Sequence, residues 1–326
     1  MRQLLTNLLN GAYLSENEAC ETMLRLNHSK TSDEQIVALM TTLQYRGLHL
    51  DELLGFRKAL LELAIPVKLE SAETIDVCGT GGDGKNTFNV STTSAFVLAS
   101  LGYKVTKHGN YGVSSLGGSS TVLEALGYRF TNDQQQLQRQ LDQHNICFLH
   151  APLFHPTLKR VAPLRKALGV PTFFNGIGPL VNPANPTHQL TGTYSLELAK
   201  HYQHVLHRTR KGYTVIHGME GFDELTFIGP TRILNGSRDE LMMESPCGKP
   251  VSRAAIQGGS TIREAAKTLV NILNGKGTEA QNTVVAGNTA LAIQTLDSTL
   301  SFSNAFFTAL EQLKSGKAMN HLQPNN

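Results

Sequence analysis

Leucines at positions 4, 5, 8 and 9 lay one apolar stripe along the start of the chain, and apolar residues keep helical spacing to residue 65. Ser15 is followed three positions on by Glu18, and Ser32 by Gln35, two capping-box patterns that each open such a stretch. Gly47 closes the second stretch, and residues 50–63 predict a further helix ending before Pro66. No strand-like alternation interrupts this block, so residues 1–66 read as a small all-helical domain.

The pattern changes at Thr74. Residues 75–78 predict a short strand running into glycines, 92–101 a helix stopped by Gly102, and 103–106 the next strand. A helix over 120–126, a strand over 146–149, a helix over 196–207 and a strand over 213–217 follow. Strands alternating with helices imply βαβ units, hence an α/β domain over 72–326 with a mainly parallel central sheet flanked by helices. The Pro- and Gly-rich stretch 152–186 is the expected crossing between the units, with a helical segment within 156–180 joining the small domain. The polar tail 316–326 reads as frayed, and no internal repeat is present.

Composition narrows the class. A chain of 326 residues exceeds one average domain, and 40% hydrophobic content excludes general disorder. With 29 Lys+Arg against 26 Asp+Glu, the net charge of +3 is too small to imply a nucleic-acid or membrane partner. Cys20, Cys78, Cys147 and Cys247 lie far apart without C-x-x-C spacing, which argues for reduced thiols rather than a disulfide framework or zinc knuckle. No stretch approaches the roughly 18 apolar residues of a membrane span, and the N-terminus lacks a signal peptide's apolar region. A cytoplasmic protein is expected.

The chemistry concentrates in glycine loops. Residues 79–92 read GTGGDGKNTFNVST directly after a strand, and glycines there let backbone N–H groups close on an anion. Gly79, Gly81 and Gly84 fit the dinucleotide fingerprint, but Lys107 and His108 stand where its acidic residue belongs. Gly79 to Lys85 fit the start of a P-loop, yet Asn86 replaces the magnesium-binding hydroxyl residue. A phosphate ligand survives both comparisons. The second loop, KHGNYGVSSLGGSS at 107–120, again follows a strand and precedes a helix, offering a cation, turn glycines and serine donors. Two such loops at neighbouring strand ends face one crevice and suit a ligand phosphorylated at two places.

A third segment, HGMEGFDELT at 217–226, carries Asp223 and Glu224 after a strand. Magnesium takes one or two carboxylates plus phosphate oxygens and water. In an extended segment these neighbours point to opposite sides, which suits two ions better than chelation of one. A lone Asp-Glu pair is ordinarily a solvated turn; only the phosphate loops raise the metal reading above that. Arg165 suits a planar carboxylate, although alone it reads as a surface charge beside Lys159, Arg160 and Lys166. His108 and His155 alone read as packing histidines.

Together, these segments resemble the anthranilate phosphoribosyltransferases, tryptophan-pathway members of the nucleoside-phosphorylase-like phosphoribosyltransferases. The motifs run in order through GTGGDGKNTFNVST, KHGN, VLEALG, HAPLFHP, PLRKALG, FFNGIGPLVNP and the Asp-Glu pair. The resemblance implies phosphoribosyl diphosphate bound by Gly79, Gly82, Asp83, Thr87, Asn89, Val90, Ser91, Thr92, Lys107, His108, Gly109, Asn110, Tyr111, Gly112, Val113, Ser114, Ser115 and Ser119. It implies two Mg2+ ions per subunit on Ser91, Asp223 and Glu224, and anthranilate lined by Gly79, His108, Asn110, His155, Arg165 and Pro179. It implies no classical catalytic residue, because departure of pyrophosphate calls for charge neutralisation and alignment. A homodimer joined through the helical domain is also implied.

The chain departs from the family pattern at Tyr111, Thr121 and Pro171, where Arg, Asp and Arg are usual. Two rivals stand beside this reading. A pyrimidine-nucleoside phosphorylase shares the fold, but usually shows Ser-Thr where Gly109-Asn110 stand here. An inactive nucleic-acid-binding relative would use the basic runs at 207–211 and 159–160, which lack interleaved aromatics.

Overall fold

The computed structural model describes residues 1–26, 30–112, 117–236 and 238–322. Four helices form the N-terminal unit: α1 (Arg2–Leu9), α2 (Glu16–Arg25), α3 (Asp33–Arg46) and α4 (Leu50–Glu62). Both capping boxes close as their spacing predicts, Ser15 with Glu18 and Ser32 with Gln35. At Gly55 a side chain would begin 2.1 Å from the Glu16 carbonyl, so α2 and α4 touch where only glycine fits. Met23, Ile36, Leu43 and Phe56 fill this unit's core. The same core takes Val161, Phe173 and Phe174 from the Pro- and Gly-rich crossing, and Tyr202 and Leu206 from helix Leu196–Thr209.

The remainder is built on one seven-stranded sheet: β1 (Ile75–Val77), β2 (Val105–Gly109), β3 (Ile146–His150), β4 (His188–Gly192), β5 (Gly212–Gly218), β6 (Thr231–Asn235) and β7 (Arg238–Met242). Their order is β3-β2-β1-β4-β5-β6-β7, with the first five mutually parallel and β6 and β7 added through antiparallel pairings. Ile75 stands opposite Val105 on one side and His188 on the other. The chain therefore leaves β1 outward through β2 and β3, then returns to its other flank at β4. Such a reversal opens a crevice at the carboxyl ends of the strands involved.

Three strands escape the hydrophobic pattern. The central β4 reads HQLTG, and its polar side chains are buried but bonded: Gln189 Nε2 donates to Pro179 O at 2.7 Å, and Thr191 Oγ1 to Cys78 O at 2.7 Å. Helix Glu279–Leu296, rich in small residues, is buried on nearly every face. Over 316–322 the tail departs from expectation: Lys317–His321 forms a 3-10 turn, and Ala318, Met319 and Leu322 pack on the large core, while 323–326 lie outside the described residues. Among the described residues, no helix is long and apolar enough to cross a membrane.

Candidate active site

A cavity of about 410 Å³ opens at the switch point. Its first wall is the loop between β1 and helix α5 (Val90–Ser100). Gly81, Gly82 and Gly84 hold φ of +63°, +75° and +68°, a region that disfavours side chains. The Gly81 N–H donates to Asp223 Oδ2 at 2.7 Å, and a side chain on Gly79 would begin 2.5 Å from that same oxygen. These glycines let the loop close on the acidic pair.

The second wall is the loop between β2 and helix α6 (Ser119–Ala125). Lys107 is buried, with Nζ donating to Val77 O at 2.6 Å and to Ser91 Oγ at 3.5 Å. Gly118 meets Gly112 so closely that a Cβ would fall 1.9 Å from the Gly112 nitrogen. Asn89 Nδ2 donates to Gly117 O at 2.7 Å, tying the two loops together. Tyr111 donates its hydroxyl to Glu124 Oε1 at 2.9 Å and sets its ring edge-on to His150. Val113, Ser114 and Ser115 lie outside the described residues.

The third wall is the segment after β5. Gly218 N–H donates to Phe222 O at 2.9 Å, turning the chain back. Asn288 brackets Leu225, accepting from its N–H at 3.2 Å and donating to its carbonyl at 2.8 Å. At Gly192 a Cβ would lie 1.6 Å from Asp223 O, so the end of β4 must be glycine for this segment to seat. The expectation that adjacent carboxylates point to opposite sides is corrected. Residues 221–226 form no strand, the chain bending at 221, 223 and 224, and Asp223 and Glu224 both reach the one cavity. Glu224 Oε1 accepts from the Ser91 N–H at 3.2 Å, while Asp223 meets Gly81.

Charge is out of balance on this wall. Burial, then repulsion from Glu224 and Asp83, pushes the Asp223 carboxyl well above the usual range. Burial likewise pushes Glu224 up to about 7, against the pull of Lys107. Asp83 Oδ2 is buried without a hydrogen-bond partner. Two crowded carboxylates and an unpartnered third oxygen fit a divalent cation. Among the described residues, no group of three His, Cys, Asp or Glu is arranged to hold an ion by itself. That suits a hard cation completed by phosphate oxygens and water.

The far end of the cavity is apolar and cationic. Arg165, on helix Leu158–Leu168, donates from Nη2 to Asn175 Oδ1 at 3.0 Å and lies 5.6 Å from the Phe174 ring centre. Its Nε is buried without a partner, and burial brings the guanidinium down to about 10, still charged at neutral pH. His108 donates from Nδ1 to Gly178 O at 3.1 Å. Burial, then the neighbouring His155, pushes His108 down to about 3, so it is neutral and leaves Nε2 as an unpartnered acceptor. Behind it, buried Asp76 accepts from the His108 N–H at 3.2 Å and from Asn182 Nδ2 at 2.9 Å.

Every described residue expected in the donor, acceptor and metal sets lines this cavity except His155. His155 is buried behind His108, ring centres 5.4 Å apart, with Nε2–H on Val181 O at 2.9 Å. Burial pushes it down to about 4. The folded form therefore refuses a proton that the unfolded chain takes near pH 6.5, and stability is lost as pH falls from 6.5 toward 4. His155→Gln removes this term. Unfolding free energies of wild type and variant, from urea titrations, should converge by up to roughly 1.4 kcal/mol per pH unit over that window; parallel profiles would contradict the burial argument.

Sequence reasoning missed Asn175, Phe174, Leu158, Val181 and Gly178 as lining residues. Phe174, Asn175 and Gly178 belong to FFNGIGP, a segment quoted for its motif but not resolved into roles. Lys85 also lines the cavity, although it enters the sequence reading only as part of a rejected P-loop.

Comparisons with known proteins agree with this architecture. Residues 2–64 match the description "Glycosyl transferase family, helical bundle domain", and residues 71–319 match "Glycosyl transferase family, a/b domain". A curated anthranilate phosphoribosyltransferase of Flavobacterium psychrophilum is 46% identical over 324 residues, covering 99% of this chain and 98% of the relative. The crystal structure of anthranilate phosphoribosyltransferase from Thermus thermophilus superposes with a TM-score of 0.87 at 32% identity, over 98% of this chain and 96% of that one. The Saccharomyces cerevisiae enzyme in complex with PRPP and Mg gives 0.85 at 27% identity, over 98% and 94%. With both domains matched and relatives aligned end to end, the chain belongs to the anthranilate phosphoribosyltransferase family.

Proposed function

We propose that the cavity transfers the 5-phosphoribosyl group of phosphoribosyl diphosphate to the amine of anthranilate, giving N-(5-phosphoribosyl)anthranilate and pyrophosphate. One observation carries the reading: both phosphate loops, the acidic pair and a half-buried arginine line a single cavity. The loops at 79–92 and 107–119 hold the donor through backbone N–H groups, serine hydroxyls and Lys107. Asp83, Asp223, Glu224 and Ser91 are the residues to hold Mg2+, two ions per subunit. Bound magnesium supplies neutralisation of the departing diphosphate. The bond from ribose C1 to the diphosphate oxygen breaks with its electron pair on oxygen, a C1–N bond forms from the opposite face, and the proton released by the amine nitrogen passes to the departing diphosphate.

Anthranilate lies at the Arg165 end, its carboxylate on the guanidinium and its ring against Phe174 and Pro179. Neutral His108, with Nε2 as an unpartnered acceptor, serves to orient the amine. The two units divide near residues 66–72 and meet again through 156–180, so closure between them aligns the acceptor and excludes water. The exposed Leu9, Tyr13 and Tyr45 on the helical unit support a homodimer through that unit. A cytoplasmic location accords with the reduced cysteines.

Loss of anthranilate fluorescence on mixing with phosphoribosyl diphosphate and Mg2+ tests the reaction. Turnover should occur and should stop in EDTA. Phosphorolysis of thymidine in place of anthranilate turnover would favour the pyrimidine-nucleoside alternative.

A further inference from the structure

The donor loop's P-loop-like spacing from Gly79 ends in Lys85, to which the proposed reaction gives no role. The structure gives its lysine an unusual position. The loop pins the backbone here: Lys85 N–H donates to Asp83 Oδ1 at 3.0 Å, and Asn86, at φ +48°, accepts from Gly258 N–H at 2.8 Å. The side chain crosses Gly221, and its ammonium lies 5.4 Å from the Phe222 ring centre. Phe222 immediately precedes the acidic pair. Among the described residues Lys85 makes no ion pair, although Asp83, Asp223 and Glu224 line the same cavity. An ammonium parked on an aromatic face holds a weak contact, in a cavity whose carboxylates it does not engage. It is thus available for an anion that comes with its own cation.

We infer that Lys85 is a further diphosphate-binding residue. When the donor enters, its ammonium leaves the Phe222 face and donates to the oxygens of the leaving diphosphate, where negative charge grows as the C1–O bond breaks. Lysine suits this place because phosphate oxygens accept a point charge from many directions, and its long stem spans the loop to the acidic wall. In P-loop enzymes a lysine at this spacing meets the phosphates as well; here the metal-binding hydroxyl comes from Ser91, not from the residue after the lysine. The inference rests on the proposed phosphoribosyl transfer for the identity of the ligand.

Lys85→Met and Lys85→Arg test it, with circular dichroism to confirm folding. The side chain is partly exposed, and Met keeps an apolar stem over Gly221 and Phe222 while removing the ammonium. Lys85→Met should lower kcat/KM for phosphoribosyl diphosphate by roughly tenfold and weaken pyrophosphate product inhibition similarly. The anthranilate KM should stay within about twofold, and Lys85→Arg should recover most of the loss. Calorimetry with inorganic pyrophosphate and Mg2+ needs no turnover, so it separates this inference from the assignment of the reaction. Equal pyrophosphate affinity in wild type and Lys85→Met would overturn the role of Lys85 even if anthranilate is consumed. Weaker affinity in the variant would support it even if anthranilate is not.

Discussion

Glu224→Gln should cut kcat/KM for phosphoribosyl diphosphate by about 10³-fold while leaving the metal-free protein at least as heat-stable as wild type. The two effects have one cause. Glutamine keeps the shape and the acceptor for the Ser91 N–H, which Glu224 Oε1 holds at 3.2 Å, but removes a charge set beside Asp223 and Asp83. Without a cation that charge is a burden, because burial and crowding already push both carboxyls upward. With a cation it is a ligand. Thermal midpoints in EDTA, and again with Mg2+ and phosphoribosyl diphosphate, check this: ligand should raise the wild-type midpoint much more than the variant's. A variant destabilised in EDTA and fully active in Mg2+ would place Glu224 in the structural framework alone.

Arg165→Ala should raise the anthranilate KM by about 10²-fold and the phosphoribosyl diphosphate KM by no more than about twofold. Asn175 takes only one donor of the guanidinium, at 3.0 Å, and Nε is buried and unpartnered. The remaining donors are thus preset for a planar carboxylate in an apolar pocket. Arg165→Lys should restore little, since a single ammonium cannot reproduce the fork. Steady-state kinetics with each substrate varied in turn decide it. Equal effects on both KM values would count against an acceptor role.

Much of this site was legible because its chemistry needs rare local patterns. Glycines at 81, 82 and 84 and the Lys107 loop show in the sequence, since strand-end loops that cradle anions tolerate few other residues. The capping boxes at Ser15 and Ser32 reveal α2 and α3 for a similar local reason. What stayed hidden depends on distant partners. The strand His188–Gly192 carries no apolar run because its polar groups are satisfied by Pro179 and Cys78 carbonyls, which come from elsewhere in the chain. Helix Glu279–Leu296 lacks an amphipathic stripe because it is enclosed on nearly all sides. Asn175 and Lys85 reach their places only through the folded path of a loop. The separation of His155 from the cavity by His108 is likewise a tertiary fact, and no spacing rule encodes it.

Convergence of both loops and the acidic pair on one donor can be checked by crystallising the protein with phosphoribosyl diphosphate and Mn2+ and mapping the anomalous signal. Manganese should lie between Asp223, Glu224 and the diphosphate, with the sugar phosphates seated on the loops at 79–92 and 107–119. Manganese away from those carboxylates, or a donor bound outside the crevice beside β1, would refute the convergence.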